Sequence, residues 1–251
     1  MNLEFKEIQL TIVDDLATVT MNRPDALNAI TPLMLDELNR AFASLAQNSG
    51  LRFAVLTGAG RAFSAGVDLK ALGDRKLENG KVGDFLDLPA RQLIETIEQL
   101  PFPVIAKVNG FCFTGALELA LACDLIIVAD KAKIGDTHAK WGLRPTWGMT
   151  QRLPRRIGLA KARELSLTAR TLTGRDAFEI GLANRVAPVD ELDAALTGLL
   201  EEIRPNSAES IAAYKDLYAV AENSGLIEGL VYEAATDYSF SDTDRRLAEF
   251  R

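Results

Sequence analysis

Apolar and polar residues alternate along Ile8–Val13 and Ala17–Met21 on either side of Asp14 and Asp15, a period of two that predicts a β-hairpin. Thr31 and Pro32 supply an N-cap and a first helical residue. Leu35, Leu38, Phe42 and Leu45 then recur at helical spacing, predicting a helix to about Asn48. Phe53–Thr57 reads as a buried strand, and Gly58–Leu69 as a glycine-rich turn leading into a short helix. Pro89–Leu100 reads as a helix that stops at Pro101–Pro103. Val104–Val108 is an apolar, branched run of strand length, and Phe111–Thr114 a tight connection. Ala116–Cys123 is apolar on every face except at Glu118, the pattern of a helix buried all round. Leu125–Ala129 reads as a second buried strand.

Lys131–Thr150 is irregular, and a long aperiodic segment in a compact chain is often functional. Amphipathic helices are predicted near Leu159–Thr168 and Arg175–Gly181, with a brief strand at Asn184–Ala187. Helices follow at about Asp190–Ile203, Ala208–Ser224 and Leu226–Tyr238. Strands mixed with helices thus give way to helices alone. The expected class is an α/β core over residues 1–190 with a helical C-terminal region over 191–251.

Glu118 is the conspicuous residue of this pattern, a single carboxylate in the first turn of a buried helix just after Gly115. Burial disfavours the charged form and raises a carboxylate's pKa, whereas a helix N-terminus favours the anion. Two readings are open: a base poised to exchange a proton, or a structural acid paired with an arginine or with backbone amides. The free amides at the helix start, around Gly115, are placed to hold an anion.

Composition narrows the chemistry. A net charge of −7 argues against general affinity for nucleic acid, and 48% hydrophobic with 25% charged residues over 251 positions is ordinary for a globular protein with a sizeable core. One histidine and two cysteines make a protein zinc site improbable, and Cys112 and Cys123 read as buried thiols, so no metal is expected. No run approaches membrane-spanning length, and Met1–Ile8 has neither a basic nor an apolar leader segment, so a cytoplasmic, reducing setting is expected. Gly58-Ala59-Gly60 has Phe63 where a dinucleotide fingerprint needs its third glycine, and Ala62 replaces the first glycine of a nucleophile elbow around Ser64. Arg152, Arg155, Arg156, Lys161 and Arg163 read as a solvated or subunit-facing surface.

Two segments together carry a specific resemblance. Ala62–Lys70 (AFSAGVDLK) resembles the oxyanion-hole loop of the crotonase (enoyl-CoA hydratase/isomerase) family, and Pro103–Gly158 resembles its central block. Asn22-Arg23-Pro24 with Asn28-Ala29, and Asp176–Val186, resemble its N-terminal loop and later helix–turn, in the family's order. The resemblance implies a spiral of ββα repeats whose helical C-terminal region forms homotrimers or homohexamers. It implies an acyl-CoA thioester substrate and no cofactor beyond the coenzyme A that the substrate carries. Nucleic-acid and membrane partners are not expected; the lysine-rich first helix of RNA-binding relatives is missing from Thr31–Asn48. The thioester oxygen would rest between the amides of Ala65 and Gly115, and Ala65, Gly66, Val67, Asp68 and Gly115 would bind substrate. Asp68 is also suited to capping the helix after it. Arg23, Arg61 or Lys70 could meet the CoA phosphates in place of the basic residue that some members have at the position of Asp25.

Family hydratases flank a water with two glutamates. Glu118 falls on the first, but the second position, twenty residues on, holds His138. His138 could act as the second acid/base, could only orient water while Glu118 does both jobs, could mark a one-base reaction such as double-bond migration, or could simply be bonded within its loop. Thr146 and Trp147 replace small residues and would reshape the acyl pocket. The expected activity is hydration of a trans-2-enoyl-CoA to a 3-hydroxyacyl-CoA, a carbon–oxygen lyase reaction of fatty-acid type, with Glu118 as the base and His138 assisting. A 3,2-enoyl-CoA isomerase, a decarboxylase or a thioesterase is the alternative.

Overall fold

The computed structural model describes residues 4–73 and 77–249. Its strands, in chain order, are β1 (Ile8–Val13), β2 (Leu16–Met21), β3 (Phe53–Gly58), β4 (Ala62–Ser64) and β5 (Val104–Val108). They continue as β6 (Phe111–Phe113), β7 (Leu125–Ala129), β8 (Lys133–Gly135), β9 (Leu172–Thr173) and β10 (Arg185–Ala187). The helices are α1 (Pro32–Ala46), α2 (Asp84–Gln99), α3 (Gly115–Ala122), α4 (Met149–Ile157) and α5 (Leu159–Thr168). They end with α6 (Gly174–Glu179), α7 (Leu192–Ile203), α8 (Ala208–Asn223), α9 (Leu226–Ala235) and α10 (Thr243–Glu249).

One sheet runs β1-β2-β3-β5-β7-β10 and a second runs β4-β6-β8-β9. The chain alternates between them. β3 joins the first sheet, β4 the second, and α2 follows; β5, β6 and α3 repeat the step; β7, β8 and α4 repeat it again. Within each sheet these successive strands pair in parallel, so every turn of the ββα spiral advances by one strand. β3 is buried at every position and α3 is buried on all faces, as their unbroken apolar patterns predict. Phe42, Phe53 and Phe63 are the largest side chains closed off from solvent in the core between the elements.

The hairpin, the Thr31 N-cap and the buried strands lie where the pattern puts them; the Thr31 hydroxyl accepts from the Met34 amide at 3.0 Å. Several places differ, among them the short strands β4 and β8, which lie in stretches read as a turn and as irregular. Phe111–Phe113 is a strand rather than a connection, because Cys112 pairs with Ser64 and Ile134 across the second sheet. Three residues are too few to show alternation. α2 begins at Asp84 and passes through Pro89. α4 starts inside the stretch expected to be irregular, and buries only Met149 and Leu153, too thin a stripe to read as a period. α7 packs on β7 and β10, so sheet packing continues past residue 190. α8 is tied down by Lys215, whose Nζ donates to Asp124 Oδ2 at 2.6 Å and to the Phe102 carbonyl at 3.1 Å. Among the described residues, no helix is long and apolar enough to cross a membrane.

Candidate active site

The second turn of the spiral places α3 directly after β6. Thr114 makes the turn at φ 48°, ψ −116°, outside the usual regions for a β-branched residue and a strain of about 1–3 kcal/mol. Gly115 then opens the helix with an amide that has no acceptor among the described residues. Only glycine fits there: a Cβ would stand 2.5 Å from the Trp147 ring. A cavity of about 120 Å³ opens over this helix start, lined by Val67, Gly115, Glu118, His138, Thr146 and Trp147 among others.

The other wall is the loop after β4. Gly66 sits at φ +94°, and a Cβ there would meet the Thr114 hydroxyl at 2.1 Å, so the loop packs hard against the α3 turn. Its backbone corrects one expectation. The Ala65 amide is not available for an oxyanion, because it donates to the Leu27 carbonyl at 2.9 Å. Two residues on, the chain runs alongside Ile30: the Ile30 amide donates to the Gly66 carbonyl at 2.8 Å, and the Asp68 amide to the Ile30 carbonyl at 2.9 Å. In extended backbone successive amides face opposite sides, so the Val67 amide points away from Ile30 and donates to nothing among the described residues. Val67 and Gly115, not Ala65 and Gly115, offer the two free amides. Asp68 accepts from the Lys70 amide at 3.0 Å and caps the short 3-10 turn Leu69–Leu72, the capping role expected for it. Its other oxygen pairs with Arg23 at 3.0 Å. Arg23 also pairs with Glu7 at 3.2 Å, so it is committed to the fold and is a poor choice for CoA phosphates.

Glu118 is 2% exposed. Its Oε1 accepts from the amides of Trp147 at 3.0 Å and Met149 at 2.9 Å, which leaves Oε2 alone toward the cavity. Burial pushes its pKa up to about 7, against the opposing pull of His138 and of the two amides. His138 begins a 3-10 turn (His138–Trp141), with Nε2 3.7 Å from Glu118 Oε2, too far for a direct hydrogen bond. The structure therefore brings Glu118 and His138 together, and gives Glu118 both its open readings: one oxygen caps backbone amides, the other is free.

Three residues that the sequence reading did not single out complete the surroundings. Asp136 Oδ1 is 2.7 Å from His138 Nδ1, and Asp136 Oδ2 accepts from the Ser166 hydroxyl at 2.6 Å. Burial alone would raise the Asp136 carboxyl, but the hydrogen bonds from His138 and Ser166 outweigh it and hold the group below the usual carboxylate range. Asp87, fully buried in α2, accepts from the Trp147 indole at 2.8 Å and from the Thr146 hydroxyl at 2.6 Å, fixing the cavity's far wall. The one available signal was Asp136 standing two residues from the only histidine. Among the described residues no group of three or more His, Cys, Asp or Glu is arranged to hold a metal ion.

Known proteins resemble this chain in sequence and in fold. The family model for enoyl-CoA hydratase/isomerase matches residues 11–249. The chain is 37% identical over 202 residues to the Arabidopsis thaliana protein named "Probable enoyl-CoA hydratase 1, peroxisomal", spanning 80% of this chain and 74% of that one. It superposes on the enoyl-CoA hydratase of Bacillus anthracis with a TM-score of 0.86 at 33% identity, covering 91% and 88% of the two chains. A Thermobifida fusca YX chain solved in complex with CoA matches with a TM-score of 0.81 at 30% identity, covering 97% and 94%. From its sequence, its spiral of ββα turns and these likenesses together, the chain belongs to the crotonase (enoyl-CoA hydratase/isomerase) family.

Proposed function

We propose that this protein hydrates a 2-enoyl-CoA thioester to the 3-hydroxyacyl-CoA. The observation that carries the proposal is the gap between Glu118 Oε2 and His138 Nε2. At 3.7 Å, on the floor of a cavity that also holds two unpartnered amides, it fits one water within ordinary hydrogen-bond reach of both groups, about 2.8 Å from each. The thioester oxygen lies between the Val67 and Gly115 amides, where the enolate-like charge develops when water adds at C3; one such donor is worth about 3 kcal/mol in comparable sites. The pair Glu118/His138 supplies and removes the two protons, general acid–base work worth roughly 100- to 10,000-fold in rate. No metal or redox cofactor enters the reaction. The CoA-bound relative supports the thioester class. With the Asp68 carboxylate engaged by Arg23 and the Lys70 amide, and the Gly66 carbonyl and Asp68 amide paired with Ile30, the loop meets the substrate through the main chain at Val67.

One observation favours a second reading. A histidine where hydratases of the family have their second glutamate is compatible with Glu118 acting alone to move a double bond from the 3,4 to the 2,3 position. Following the enoyl absorbance with 2-enoyl- and 3-enoyl-CoA separates the two. Hydration predicts loss of the 2-enoyl band. Formation of that band from 3-enoyl-CoA, with no loss from 2-enoyl-CoA, makes the protein an isomerase. Leu226, Ile227, Leu230 and Val231 lie exposed along α9, beside exposed Tyr214 and Tyr218 of α8, and fit burial against further copies of the chain. A trimer or hexamer by light scattering is the expected assembly, and a monomer at micromolar concentration excludes it.

A further inference from the structure

Asp136 holds His138 in one orientation and, for the neutral ring, in one tautomer. An ionised carboxylate only accepts hydrogen bonds. Asp136 is held ionised by its partners, so the proton in the 2.7 Å contact belongs to His138 Nδ1. The His138 amide donates to the same oxygen at 3.3 Å, and the Ser166 hydroxyl of α5 fixes the other oxygen at 2.6 Å, so the carboxylate is pinned at both ends. A neutral ring with Nδ1–H presents a bare Nε2, and Nε2 is the atom that faces Glu118 Oε2 and the cavity. Among the described residues, the titratable groups that face this ring are Glu118 from α3 and Asp136 beside it. Glu164 of α5, the helix packed against this turn, is instead engaged with Lys161 and Arg170.

On the other side of the gap, Oε1 of Glu118 is fixed by two amide donors, so a proton on this acid sits on Oε2. The pull of a charged histidine, which favours the Glu118 anion, is absent when the ring is neutral. We infer that Asp136, supported by Ser166, is a positioning residue that makes His138 the base of the reaction and leaves Glu118 as the acid, the reverse of the division expected from the sequence. Resting on the hydratase reading, the step balances as follows. Water gives a proton to His138 Nε2 as its oxygen bonds to C3; the C2–C3 π pair takes the Glu118 Oε2 proton at C2. His138 is then imidazolium and Glu118 a carboxylate, and one proton returning across the gap through the next water restores both. The Glu-to-His exchange at position 138 is thereby matched by a carboxylate at position 136 that gives the imidazolium its counter-charge.

A pH–rate bell belongs to the coupled pair and does not separate the two roles, so the test reads the ring directly. His138 is the only histidine. Untagged protein labelled with ¹⁵N at histidine Nδ1 alone therefore gives a single imidazole signal in a solid-state spectrum. At about pH 7 the resting enzyme is expected to show Nδ1 protonated and, in a second sample labelled at Nε2, a bare nitrogen. Nε2–H, or an imidazolium, in the wild-type protein overturns the inference. In Asp136→Asn the two tautomers should mix, kcat on 2-enoyl-CoA should fall about 100-fold, and KM should change by no more than about twofold. Ser166→Ala, a milder change, should lower kcat about fivefold in the same pattern. Wild-type kcat in both variants also overturns the inference. The expected tautomer without any hydration of enoyl-CoA retires the hydratase reading and leaves the positioning contact standing.

Discussion

Two glutamates of this protein are equally buried, each 2% exposed and each carried by a helix, yet they are wired differently. Glu37 of α1 uses both oxygens: Oε1 accepts from the Lys6 amide at 2.8 Å, and Oε2 from the amides of Glu7 at 2.8 Å and Ile8 at 3.2 Å. It fastens the chain entering β1. Glu118 uses one oxygen for two amides and leaves the other facing a histidine across a gap. The contrast teaches that burial alone does not mark a working acid. A fully satisfied carboxylate is a clamp, whereas a half-satisfied one beside a cavity has a free lone pair and a reason to hold a proton.

The largest effect that tests this contrast is catalytic. Glu118→Gln keeps the shape and should lower kcat on 2-enoyl-CoA about 1,000-fold; near wild-type turnover by this variant removes Glu118 from the chemistry. Glu37→Gln should do the opposite. With one acceptor oxygen left for three amides it should cost about 3 kcal/mol, roughly 8 °C in Tm for a chain of this size, while kcat stays within about twofold. A loss of turnover that matches Glu118→Gln would erase the distinction.

The third effect is a pH dependence whose sign differs from that of most carboxylates. The folded pKa of Glu118 is raised to about 7, above the ordinary 4.5, so between those values the native state binds more protons than the unfolded state. Stability contributed by this group is full below about pH 4.5 and is lost as pH rises to about 7. Relative to Glu118→Gln, the wild type should lose up to about 3 kcal/mol across that window; denaturant melts of the two proteins at several pH values give the difference directly, and a flat difference refutes the raised pKa. The smallest effect concerns the grip itself. Trp147→Phe removes the indole bond to Asp87 but not the backbone amide that holds Glu118, so it should cost about 1–2 kcal/mol of stability and lower kcat by no more than about threefold.

What could be read from the sequence follows from how each contact is encoded. Glu118 stood out because one polar residue in an apolar helix breaks a local pattern, and the buried strands β3, β5 and β7 are themselves local patterns. That the Ala65 amide is engaged and the Val67 amide free is not legible, because the direction of a backbone N–H is set by pairing with Ile30 and Leu27, which side-chain identity does not encode. Asp87 was hidden because its partners Thr146 and Trp147 lie 59 and 60 residues away. Arg23 was offered to a phosphate because its engagement with Glu7 and Asp68 exists only in the folded chain.

The acid of this site is oriented by main-chain amides of residues 147 and 149, and not by their side chains. Replacement at position 147, whose side chain lines the cavity, can therefore redraw the wall that an acyl group meets without uncoupling the Glu118 carboxyl from its place. That separates the inheritance of reactivity from the inheritance of substrate scope, and a lineage can try new tails on the thioester one codon at a time while its chemistry stays put.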